Sequence, residues 1–189
     1  MPRRSSELEQ RLERQRQALL AQPVTAPPLP WHVVGTLSIG GLLAVGFAPG
    51  SDLLLVVSTT GRSVIDARSG ERLARDRDDT LAWLDPQELT AQGIGPLAGQ
   101  DVRLAGLYGG GLALGTADGW EITVQTLAWP DQRVVLTYAD WSKGAQAARA
   151  GKRVTVIADE RELRAAGFSP TGHSLVMASS SDLQLFTRP

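Results

Sequence analysis

Cysteine is absent from the 189-residue chain, which excludes disulfides and thiolate metal sites and fits a reducing cytoplasm, the location expected here. Histidine is scarce. A zinc site would have to gather both His32 and His173 with a carboxylate; nothing in the sequence draws these two together, so no metal and no cofactor is expected. An excess of charge is missing too. With 19 Lys+Arg against 20 Asp+Glu and a net charge of -1, no general field attracts nucleic acid or an anionic membrane, and neither is expected as a partner. Long apolar runs are also lacking: the most apolar segment, 42–57, is broken by Pro49-Gly50-Ser51-Asp52, far short of the ~20 residues of a membrane span. After Met1-Pro2-Arg3-Arg4 the chain turns polar, so a secretory signal is not expected.

The common catalytic motifs are missing as well. A phosphate loop needs four residues between its glycines and Ser or Thr after its lysine; six separate Gly144 from Gly151, and Arg153 follows Lys152. Gly93, Gly95 and Gly99 miss the dinucleotide fingerprint, and there is no Gly-x-Ser-x-Gly nucleophile elbow. The acidic run Asp76, Asp78, Asp79 is interleaved with Arg75 and Arg77, which describes a solvated turn better than a calcium loop.

Arginine, by contrast, is abundant: 17 against 2 lysines, a bias that genome composition or bidentate carboxylate contacts would explain. Residues 1–22 form an amphipathic helical segment. Ser6 and Glu9 have the spacing of a capping box, Leu8, Leu12 and Leu19 form a narrow apolar stripe, and Pro23 ends the helix. That stripe predicts docking on the body or on another chain, with pairing to a second copy as the alternative, since two heptads are too few for a convincing coiled coil. Residues 23–30, with Pro23, Pro27, Pro28 and Pro30, read as an extended linker, and 31–189 as a mainly β repeat domain.

Within that domain Gly46-Phe47-Ala48-Pro49-Gly50 and the run Leu53 to Val57 return as Gly167-Phe168-Ser169-Pro170-Thr171-Gly172 and Leu175 to Ala178. Leu107 to Gly115 gives a degenerate third copy, with a period of about 60. Short Val/Leu/Ile-rich runs separated by Gly, Pro, Asp and Ser predict antiparallel strands near 32–38, 42–47, 53–58, 62–67, 71–75, 102–107, 111–116, 120–128, 132–138, 153–157, 163–168, 174–178 and 183–187. Helical inserts are expected at 79–92 and 139–150. The fold class expected is three antiparallel meander repeats with short helical inserts and an N-terminal helix. The last unit lacks an outer strand, and His32 to Leu37 is expected to return and supply it.

Phe168-Ser169-Pro170-Thr171-Gly172, a β run and Ser181 to Phe186 resemble a blade of a WD40-like β-propeller, whose inner strand ends in a similar turn. Gly61 to Gly70 resembles the outer half of such a blade, with Ile65-Asp66 in place of its Trp-Asp pair. No Gly-His dipeptide precedes the blade, and the period exceeds the roughly 40–45 residues of that family. A propeller closes with at least four blades, so the resemblance implies either an incomplete ring completed by dimerisation or a barrel or bent-sheet fold of another kind.

Two function classes remain. One is a non-catalytic module binding another protein through Leu8, Leu12, Leu19 and Trp129, the last set in the turn Trp129-Pro130-Asp131, where burial is harder. Small bacterial modules of this size serve as immunity proteins or complex subunits, an analogy from class alone. The other is a propeller-type metal-dependent hydrolase or lactonase, for which Asp66, Asp118, Asp131 and Asp182 are the available turn acids. Binding is the preferred expectation, with no catalytic residues assigned.

Overall fold

The computed structural model describes residues 3–189. Helix α1 runs Arg3–Leu20, ahead of the expected Ser6 cap; the Ser6 side chain lies outside the described residues. The next strands are β1 (His32–Ser38), β2 (Leu42–Phe47), β3 (Leu53–Ser58), β4 (Gly61–Asp66) and β5 (Arg72–Asp76). Short strands β6 (Leu84–Asp85), β7 (Thr90–Gln92), β8 (Asp101–Arg103) and β9 (Ala105–Gly106) follow. The chain continues through β10 (Trp120–Ala128), β11 (Asp131–Tyr138), helix α2 (Ala145–Ala150), β12 (Arg153–Glu160), β13 (Ala165–Phe168), β14 (Ser174–Ala178) and β15 (Asp182–Thr187). The protein is thus mainly β, with antiparallel sheets and an N-terminal helix.

These strands make four sheets, ordered β5-β4-β3-β2-β9, β6-β7-β8, β10-β11-β12 and β1-β15-β14-β13. Strand alternation explains how they pack. In β3, Leu54 and Val56 face β14 and β15, sharing a core with Val176 and Leu185. Leu55 and Val57 point the other way, into a core with Trp83 and Val102 of the small sheet. In β14, Val176 and Ala178 join the first of these cores while Leu175 and Met177 pack against Ile122 and Leu136. A strand buried on both faces has no polar side to show, which is why 53–57 and 175–178 are uninterrupted apolar runs.

The repeated motif does the same thing twice. Phe47 pairs with Leu54 and Gly46 with Leu55; Phe168 pairs with Leu175 and Gly167 with Val176. Both phenylalanines are buried. Each turn closes with the same two backbone bonds, Ala48 N to Leu53 O at 2.9 Å and Ser51 N to Ala48 O at 3.2 Å in one copy, Ser169 N to Ser174 O at 2.9 Å and Gly172 N to Ser169 O at 3.0 Å in the other. The two turns also touch: Asp52 accepts from Thr171 Oγ1 at 2.8 Å and from Ser174 Oγ at 2.7 Å. Strand β1 returns to β15, from His32 opposite Thr187 to Ser38 opposite Asp182, and supplies the fourth strand of the last sheet.

Elsewhere the structure departs from expectation. The segment 107–115 makes no meander and 111–116 no strand; it is a connector that laces sheet edges. Ala105 and Gly106 pair with β2, Ala113 bridges to Phe168, and Gly115 bridges to Glu121. Residues 79–92 form no helix but turns and the β6–β7 hairpin. Asp78 Oδ1 accepts from Thr80 N, and Asp85 Oδ1 from Gln87 N and Glu88 N, each at 2.9 Å. Such aspartate side chains offer the backbone an alternative to a helical ladder. The insert at 139–150 is split at Gly144 into a 3₁₀ turn, Trp141–Lys143, and α2. The proline linker is no free spacer either, since Thr25 N donates to Val156 O at 2.9 Å along the edge of β12.

Candidate functional site

The β10–β11 hairpin and the end of α1 define one corner of the molecule. Val134 and Leu136 face the core on one side of β11, so Arg133 points to the other. There its guanidinium holds Asp159 on β12 through two bonds of 2.9 Å. The remaining N–H groups cap the helix, donating to Leu19 O and, at 2.7 Å, to Gln22 O. The last carbonyls of a helix lack intrahelical partners and carry its negative dipole end, so a cation here satisfies both requirements. A second anchor is Arg16, whose Nε donates to Leu127 O of β10 at 2.6 Å while Nη1 pairs with Glu13 at 3.1 Å.

Both anchors engage the latter part of α1, and the earlier turns are left uncovered. Leu19 is half-buried, but Leu8 and Leu12 are 57% and 55% exposed. Leu12 lies about one turn before Arg16, and Arg16 grips Leu127, two residues before Trp129, which at the hairpin tip is 86% exposed. Leu8 and Leu12 on α1, and Trp129 on the hairpin to which α1 is tied, are thus exposed, while Leu19 is set inward beside the anchor. Below the helix end is a hollow of about 390 Å³ lined by residues including Leu20, Leu127, Arg133 and Glu160. Burial raises the Glu160 carboxyl above its usual range, with Asp182 and Asp159 adding repulsion, against the hydrogen bond from Gln184.

Sequence reasoning missed the anchors Arg16, Arg133 and Asp159. The available signal was Arg133 itself, an arginine at the start of the apolar alternation of β11. Of the other tryptophans, Trp31, Trp83 and Trp120 are buried, whereas Trp141 is exposed.

The four turn acids do not converge. Asp66 accepts from Arg68 N, Asp118 binds Arg188, Asp131 binds Arg161 at 2.6 Å, and Asp182 accepts from Ser38 and Ser181. His173 Nδ1 lies 2.8 Å from Pro189 O, and His32 is exposed on β1. Among the described residues no three His, Asp or Glu side chains gather where they would hold a metal ion, and no helix is long and apolar enough to cross a membrane. Neither protein-family models nor curated proteins give a match to this chain.

Proposed function

We propose that the protein is a non-catalytic interaction module that binds a partner protein of different sequence through the α1–hairpin corner, and that its body is an open, propeller-like stack of sheets. The observation that carries the binding reading is the contrast within α1: its C-terminal end is pinned by Arg133 and Arg16, while Leu8, Leu12 and, on the hairpin that Arg16 holds, Trp129 stand bare in solvent. A tryptophan has few rotamers to lose, so with two leucines it offers apolar area at little entropic cost on binding. A second copy is the weaker fit, because self-pairing would engage only two leucines per helix, short of the three or more heptads that sustain a coiled coil. The propeller-like reading is supported by face-to-face packing of the sheets and by an N-terminal strand completing the C-terminal sheet.

The test is a paired substitution. Leu8→Glu with Leu12→Glu, and separately Trp129→Ala, should each abolish binding of one and the same identified protein at unchanged melting temperature. Retained binding in both variants refutes the assignment, and concentration-dependent dimerisation abolished by both transfers it to a second copy.

A further inference from the structure

At the opposite edge of the first meander, β4, β5 and the end of β1 enclose a hollow of about 150 Å³. Ser63 of β4 lies opposite Val56 on one side and Arg75 of β5 on the other, so all three share a face. A β-bulge follows between Val64 and Ile65, which sets Arg72 opposite Ile65. Without the bulge, strand alternation would send Arg72 and Arg75 to opposite faces; with it, both line the same hollow.

Three features mark this place as built for an anion. Arg72 and Arg75 make no ion pair and no side-chain hydrogen bond among the described residues, whereas the third arginine in the wall, Arg62, is satisfied by Asp76 at 3.1 Å and by Gln92 O at 2.6 Å. Ser63, only 9% exposed, lines the hollow, and its hydroxyl makes no hydrogen bond among the described residues and keeps contact with solvent. Thr60 and Ser38 complete the polar wall, Thr60 within 3.3 Å of Ser58 Oγ and Ser38 donating to Asp182 at 3.3 Å.

We propose that this hollow binds the phosphate group of a small molecule. Two free guanidiniums and the Ser63 hydroxyl in the wall supply more donors than the two oxygens of a carboxylate use well, and they match the three terminal oxygens of a phosphate monoester. Arg72 and Arg75 clamp the anion from the edge strand, and Ser63 donates from beneath.

Inorganic phosphate is the probe, titrated into the full chain at constant ionic strength and followed by backbone amide shifts. The expected result is a saturable response centred on Gly61 to Ser63 and β5, shared by sulfate and absent with acetate. Arg72→Gln with Arg75→Gln should weaken it about tenfold or more; Ser63→Ala should weaken it less, with the fold retained, and Arg149→Gln on α2 should leave it unchanged. A sugar phosphate binding more tightly than inorganic phosphate assigns the source to an ester; equal binding assigns it to the free ion. No saturable response, or the same response in the double arginine variant, overturns the proposal.

Discussion

Gly46 and Gly167 occupy the same place in the two copies of the motif, and the reason is steric. A Cβ on Gly46 would collide with the carbonyl oxygen of Arg103, and one on Gly167 with Leu112 Cβ and the Ala113 carbonyl. In both copies a crossing backbone lies against the first strand of the meander, so the glycine makes room for it. Gly46→Ala and Gly167→Ala are each expected to cost about 3 kcal/mol in chemical denaturation. Gly50→Ala, with open space around the site but φ of 62°, should cost only about 1 kcal/mol. A second prediction concerns Arg188. It binds Asp118 through two N–H groups, donates to Gly172 O at 2.7 Å and lies 5.1 Å over the ring of buried Trp31. The hydrogen bond from Arg188 holds the Asp118 carboxyl down at about 2, despite partial burial. A carboxyl lowered on folding stabilises fully above its unfolded value near ~3.9 and loses that contribution as pH falls toward its folded value. Asp118→Asn should therefore lower the melting temperature at pH 7, with the gap to the parent protein closing between pH 4 and 2. An equal gap at both ends of that range would assign the loss to packing.

At the scale of elements, the sequence is legible where local chemistry and burial agree. The paired Gly-Phe-x-Pro turns, the apolar runs after them and the Leu-bearing helix are all visible because turn residues and periodicity are local signals. The 79–92 segment, expected to be helical, folds into turns because the decisive information sits in Asp78 and Asp85, whose side chains bind backbone N–H groups ahead of them. The connector that follows Gly109-Gly110-Gly111 resembles the repeat in composition, yet Ala113 bridges to β13 and Gly115 to β10, a role that only the assembled sheets define. The corner was half legible: Leu8, Leu12 and Trp129 stand out as apolar groups with no obvious core, but the carbonyls that Arg16 and Arg133 satisfy are far away in the chain. Arg133→Ala tests that anchor. It strips the helix end of its cap and leaves Asp159 without its partner, so amide protection along α1 should fall while that of β14 is unchanged.

At the scale of the whole molecule, the two ends of the chain complete one sheet. β1 shields the edge of β15, and Trp31 just before it packs 5.5 Å from Phe168 and 5.9 Å from Trp120, joining the last sheet to the β10-β11-β12 sheet. Removing residues 31–38 takes away a strand and a core tryptophan together, and loss of cooperative melting is the expected outcome. Removing 1–22 takes away only docked surface and should leave a sharp transition. Near-ultraviolet circular dichroism across a thermal ramp distinguishes the two.

The binding face is tested most directly by placing a photo-cross-linking amino acid at Leu12, at Trp129 and, as a control, at exposed Leu107 on the connector, then irradiating living cells. The account predicts that Leu12 and Trp129 attach to the same partner protein while Leu107 does not. Different partners from the two corner positions, or adducts from neither, would contradict it.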